Sequence, residues 1–275
     1  MSFPAVNPTE TASWKALEHH FQTVASQGLE KVLTDNDTRA KAMSLSWQDF
    51  FFDYSKNRMT KETLSLLIDL AKEVNLKTAI DLQFSGEKIN ATENRAVLHT
   101  ALRNFDAMKP EVAQTLEKIK QFSAGVISGT NKGFSGKPIT DIVNIGIGGS
   151  HLGPEMVVEA LHHYRNHLGI HFIANVDGDN VRDILTKLNP ETTLFVVVSK
   201  SFTTQETLTN ATVVKDWFLQ KAPEDATSKH FVAVSTNINE AVKFGVSNVR
   251  LGRRPIFTLG IRWTFYQLRT WIPSF

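Results

Sequence analysis

The 275-residue sequence contains no cysteine. That excludes disulfide staples and thiolate chemistry, and it fits a reducing, cytoplasmic setting. No uncharged apolar run approaches the roughly 20 residues that cross a bilayer. Residues 1–14 have neither the basic n-region nor the apolar h-region of a secretory signal. A membrane partner is therefore not expected. Acidic residues are missing from the end of the chain: none follows Glu240, whereas Arg250, Arg253, Arg254, Arg262 and Arg269 all do. The net charge of +2 comes from this tail, because without those five arginines 25 basic residues face 28 acidic ones. A mildly acidic body gives no ground for a nucleic-acid partner. There is no fixed-period repeat and no low-complexity segment.

The length suits one large domain or two ordinary ones. Residues 1 to about 120 read as a helical segment. Trp14, Leu17, Phe21 and Val24 form a helical stripe that Thr11 or Ser13 can cap, and further helices are expected over 60–74, 91–104 and 110–128. The polar, glycine-containing stretch 128–133 reads as a surface loop. From Ile139 the texture becomes alternating. Strands are expected over 141–147, 170–176, 193–198 and 230–235, and helices over 153–164, 181–188, 205–218 and 238–244. Such alternation predicts a parallel sheet covered on both faces, with ligands at the carboxyl ends of its strands.

Two constellations fall at such ends. Residues 199–207 carry five hydroxyls (Ser199, Ser201, Thr203, Thr204, Thr207) and the ammonium of Lys200, after the apolar strand 193–198. Hydroxyls donate to phosphate oxygens, and the free N–H groups of the following helix favour an anion. Read without context, the same cluster is a run of turn and cap residues. Upstream, Gly146-Ile147-Gly148-Gly149-Ser150 is a glycine turn in which a phosphate can approach backbone closely. A dinucleotide fingerprint from Gly146 requires glycine where His151 stands, and Asp177 lies beyond the usual distance of about 20 residues for a ribose-binding acid. The pairs His19-His20 and His162-His163 are read as helical neighbours facing different sides, the wrong spacing for a metal. The aromatics Trp47, Phe50, Phe51, Phe52 and Tyr54 have the faces to stack a base or sugar, but nothing near them argues for it and they are read as core packing.

Five stretches carry a wider resemblance: DYSKNRMTKET (53–63), KINATENRAVLHTALR (88–103), GKPITDIVNIG (136–146), DIVNIGIGGSHLGP (141–154) and VVSKSFTTQETLTNA (197–211). In this order they resemble the glucose-6-phosphate isomerase family, from near the N-terminus to about Val246. The resemblance implies an α/β fold: an SIS-type three-layer sandwich with a parallel sheet over 121–246, preceded by the helical segment 1–120. It implies that Gly149 and Ser150 line a sugar-phosphate site. Ser199, Ser201 and Thr204 would hold the phosphate, Lys200, Phe202 and Thr203 would supply backbone to the same loop, and Thr207 would be a neighbour. The implied ligand is a hexose 6-phosphate, with no metal and no cofactor, in a protein that is a homodimer at full length. The implied reaction interconverts an aldose and a ketose through a cis-enediol. A glutamate base, a histidine, a lysine and an enediolate-stabilising arginine serve it.

None of those four catalytic groups is assignable here, and neither Glu206 nor Glu240 substitutes for the base. The chain alone is therefore expected to be inactive. The alternative class is a non-catalytic SIS-type module that binds a sugar phosphate. After Val246 the resemblance gives way to SNVRLGRRPIFTLGIRWTFYQLRTWIPSF. Back-translated with free codon choice and read one nucleotide later, residues 249–266 are compatible with FDWVGGRYSLWASVGLSI, the arginine-bearing motif that the family has next. Residues 247–275 are therefore expected to be a frame-shifted tail.

Overall fold

The computed structural model describes residues 5–34, 38–92, 94–103 and 108–246, so the expected frame-shifted tail lies outside the described residues. The chain divides into two compact units between Thr100 and Ala101. The first contains α1 (Ala12–Val24), α2 (Leu29–Thr34), α3 (Arg39–Ala42), the hairpin β1 (Ser44–Trp47) and β2 (Phe50–Asp53), α4 (Lys61–Glu73) and α5 (Leu76–Ser85). The second contains α6 (Pro110–Ile127), β3 (Asp141–Ile145), α7 (Gly149–Ala160), β4 (Gly169–Ile173), α8 (Gly178–Leu185), β5 (Thr193–Val198), α9 (Gln205–Leu219), α10 (Thr227–His230), β6 (Phe231–Val234) and α11 (Ile238–Lys243). Helix α6 joins the second unit because Val112 and Val126, flanked by Leu116, Ile119 and Phe122, pack into the cluster beneath the sheet.

Polar ties do much of the holding in the first unit. Among its described apolar side chains only Met43 and Leu82 are buried. Thr11 caps α1 by accepting from the Trp14 N–H at 3.2 Å, and Glu73 at the end of α4 accepts from the N–H groups of Ala12 and Ser13, both at 2.9 Å. Together they satisfy donors that the first helical turn cannot. Thr60 and Thr63 form a reciprocal capping box on α4. The buried Arg39 guanidinium donates to the carbonyls of Ser55, Asn57 and Met59, which fixes the loop after β2.

Three sequence expectations fail. Of the aromatics read as core packing, Trp47, Phe50, Phe51 and Phe52 lie on the β1–β2 hairpin and are exposed, Phe50 and Phe51 at 69% and Trp47 at 61%, whereas Tyr54 follows β2 and is half-buried. These rings pair with one another instead, with Trp47 on Phe50 and Phe52 on Tyr54 at centroid distances of 5.8 and 5.6 Å. The helix expected over 91–104 is replaced by a bridge in which Asn90 and Arg95 exchange backbone hydrogen bonds, followed by a short 3₁₀ turn, His99–Leu102. The Thr92 hydroxyl donates to Asn90 Oδ1 at 2.8 Å, the local bonding through which Asn and Thr compete with a helix. His162 and His163 occupy a 3₁₀ turn with ring centroids 3.8 Å apart, so they do not face different sides.

The second unit is a doubly wound sheet of strand order β4-β3-β5-β6, parallel throughout. Side chains alternate across it. Val143, Ile145, Phe195, Val197, Phe231 and Ala233 enter one cluster with residues of α8, α9 and α11, whereas Ile142, Leu194, Val196, Val198, Val232 and Val234 meet α6 on the other face. Strands covered on both faces form near-continuous apolar runs, and β5 is buried along its whole length. The fold is thus the SIS-type three-layer sandwich expected from the sequence.

Candidate functional site

Strand order creates the site. From β3 the chain passes through α7 to β4 on one side, whereas from β5 it passes through α9 to β6 on the other. The connections diverge between two adjacent central strands, in register from Asp141 opposite Thr193 to Ile145 opposite Val197. A divergence of this kind opens a crevice at the strands' carboxyl ends, where doubly wound folds bind ligands. The glycine turn leaves β3 there and the hydroxyl loop leaves β5 there. Segments about 50 residues apart in the sequence thus become neighbours. A Cβ on Gly146 would stand 2.9 Å from Ser150 Cβ and 3.1 Å from the Val198 carbonyl oxygen. Only glycine allows this approach.

Ser150 is held by a compensation between strand and helix. Pro154 lies inside α7 and has no N–H to give the carbonyl four residues back, which is that of Ser150. Asn144, buried in β3, supplies the missing donor: its Nδ2 lies 3.1 Å from the Ser150 oxygen. A buried polar side chain in a strand and a proline in a helix are therefore two halves of one device.

The hydroxyl loop has a buried anchor and an open rim. The Phe202 side chain is 2% exposed and meets Phe244 edge-on at 5.8 Å. Its backbone is left-handed, with φ +53°, a conformation a non-glycine residue keeps only when its surroundings hold it. Ser201 and Thr203 are exposed and share a hydrogen bond of 2.6 Å, while Ser199 and Thr204 share one of 3.1 Å. Lys200, Thr204 and Ser150 are half-buried and Gly149 is exposed. Ser199 and Thr207 are buried, Thr207 to 1% exposure, so these two hydroxyls stand behind the rim.

Both helices at the crevice begin without a side-chain cap. The α7 cap position is Gly148, at φ +54°, and the Thr204 hydroxyl at the head of α9 is directed to Ser199 rather than to its own helix. By contrast Asp177 caps α8 and Asn237 caps α11. The Asp177 carboxylate accepts from the N–H groups of Asp179 and Asn180, so the acid a dinucleotide reading requires is engaged as a cap. Among the described residues no group of three or more His, Asp or Glu residues could hold a metal ion, and no helix is long and apolar enough to cross a membrane.

Sheet, crevice and uncapped helix starts define the class: a doubly wound α/β domain with an anion-suited switch point. The phosphoglucose isomerase family matches residues 53–254, and the chain belongs to that family. A glucose-6-phosphate isomerase of Christiangramia forsetii (strain DSM 17595 / CGMCC 1.15422 / KT0803) is 53% identical over 250 residues, which cover 88% of this chain and 46% of that protein. The crystal structure of a glucose-6-phosphate isomerase from Chlamydia trachomatis shares the fold with a TM-score of 0.69 and 24% identity, over 97% of this chain and 52% of that one. The chain thus spans about half the length of the relatives it matches.

Proposed function

We propose that this chain carries the phosphate-gripping part of a glucose-6-phosphate isomerase, and that by itself it binds a hexose 6-phosphate without turning it over. The observation that supports this reading is the meeting of the glycine turn and the hydroxyl loop at the crevice between β3 and β5, where both following helices start uncapped. In this reading the hydroxyls of Ser201 and Thr203 exchange their shared hydrogen bond, and that of Thr204 its bond to Ser199, for phosphate oxygens, and Gly149 and Ser150 close on the ligand from the β3 side. Lys200, Phe202 and Thr203 contribute backbone, and Ser199 and Thr207 support them from behind.

In the full-length protein the reaction we propose moves a proton between C1 and C2 of the sugar by general acid–base catalysis, while remote phosphate binding fixes the substrate. Neither local carboxylate is offered as the base. Glu206 is exposed in the first turn of α9, and Glu240 pairs with Lys243 at 2.6 Å. The whole protein is proposed to be a cytoplasmic homodimer that needs no metal or cofactor. Residues 247–275 are proposed to be frame-shifted. Sequencing the coding DNA through codon 247 tests this, since the alternate frame must stay open and encode the FDWVGGRYSLW motif.

Calorimetric titration with fructose 6-phosphate, with fructose as the phosphate-free control, tests the binding reading beside a coupled isomerisation assay. Saturable binding of the phosphate ester alone, without turnover, is expected. Turnover would overturn the binding-only assignment, and absence of binding would overturn the site.

A further inference from the structure

We infer that Ser235, Thr236 and Asn237, in the turn between β6 and α11, are positioning residues that set the aim of the hydroxyl loop; the inference rests on the sugar-phosphate reading above. The Lys200 carbonyl oxygen accepts three hydrogen bonds from this turn: from the Thr236 N–H at 2.9 Å, the Thr236 hydroxyl at 2.8 Å and the Ser235 hydroxyl at 3.0 Å. Asn237 Nδ2 donates to the next carbonyl, that of Ser201, at 3.0 Å. The turn is itself braced, because the Asn237 N–H donates to the Ser235 hydroxyl at 3.1 Å and Asn237 Oδ1 caps α11. Ser235 is 2% exposed, so its hydroxyl is fixed within the protein.

The consequence follows from peptide geometry and sheet order. A trans peptide directs its N–H opposite to its C=O, and the described residues contain no cis peptide. With the Lys200 carbonyl held toward the turn that follows β6, the Ser201 N–H must face the other way. β6 flanks β5 on one side and β3 flanks it on the other. The Ser201 N–H is therefore turned toward the β3 side, where the glycine turn lies. The clamp and the buried Phe202 ring hold the loop at two points, and this restraint keeps Phe202 at its positive φ. Phe244, which backs that ring, is fixed in turn by Lys215, whose Nζ donates to the Phe244 carbonyl at 2.7 Å and lies 4.9 Å from the ring centroid.

The test compares the 275-residue chain with a Ser235→Ala/Thr236→Val double variant and with the conservative Thr236→Ser. Calorimetry with fructose 6-phosphate and with inorganic phosphate measures binding, and hydrogen–deuterium exchange measures residues 199–204 without added ligand. Losing the aim of one donor to an anion corresponds to about tenfold in affinity for both probes. The double variant should show that loss together with faster exchange in the loop, whereas Thr236→Ser should stay within about twofold, because it keeps the hydroxyl. Unchanged affinity, or unchanged exchange in the double variant, overturns the clamp. If the unsubstituted chain binds neither probe, the sugar-phosphate reading fails, and the exchange comparison still decides whether the turn restrains the loop.

Discussion

Replacing His230 should cost the second unit more than any surface change, and two variants separate the causes. The imidazole is fully buried between the loop before β3 and the start of β5. Its Nδ1 lies 2.6 Å from the Thr193 carbonyl oxygen, which can only accept, so Nδ1 carries the proton. Nε2 then accepts from the Phe134 N–H at 2.9 Å. The ring also packs against Phe134 and Phe218, with centroids at 5.4 and 4.9 Å. His230→Phe keeps a ring in place and strands one backbone donor and one backbone acceptor, at about 1–3 kcal/mol each, so a loss of about 3 kcal/mol is expected. His230→Ala adds an unfilled space, taking the loss to about 5 kcal/mol. Equilibrium urea denaturation followed by far-UV circular dichroism reads both. A His230→Phe loss below about 1 kcal/mol would refute the reasoning, since it would mean that the two backbone groups find other partners at little cost.

Further outcomes follow from other contacts. Gly146→Ala forces a methyl against Ser150 and the Val198 carbonyl; a loss of about 1–3 kcal/mol is expected by denaturation, with weaker fructose 6-phosphate binding by calorimetry. Asn144→Leu removes the donor that serves the Ser150 carbonyl and should cost about 1–2 kcal/mol in the same denaturation assay. Glu73 is held below its ordinary value of 4.5 by hydrogen bonds, first from the Ser13 side chain and then from the backbone of Ser13 and Ala12. Because the folded-state value is the lower one, its contribution is present above pH 4.5 and is lost as the pH falls through the folded value. Glu73→Gln should therefore lie below the parent in stability above that pH and converge with it in acid. Parallel curves across the whole titration would rule this out.

Much of the second unit was legible in the sequence because its signals are local. The β5 run is apolar from Leu194 to Val198, as suits a strand buried on both faces, and the hydroxyl cluster directly after it marks a strand-to-helix turn. The capped start of α1 was equally legible, because Thr11 bonds within one turn of its own helix. The failures have physical reasons too. Asn90 and Thr92 spend their side chains on a local bridge where a helical pattern was read. Period and composition do not say whether Trp47 and Phe50–Phe52 face a core or solvent; the pairing of two four-residue strands does.

The sequence by itself therefore determined the chemistry at each strand end: glycines where backbone must be approached, and hydroxyls with an ammonium where an anion is favoured. Only the tertiary structure decided which of these groups share a site. The divergence of chain connections between β3 and β5 joins two distant segments, and the same packing buries Ser199 and Thr207 while it leaves Ser201 and Thr203 exposed. It alone couples Pro154 to Asn144 and the Lys200 carbonyl to Thr236, since each bond links residues that no local pattern relates. Composition and spacing act along the chain, whereas a buried hydrogen bond is set by where the sheet places its two partners.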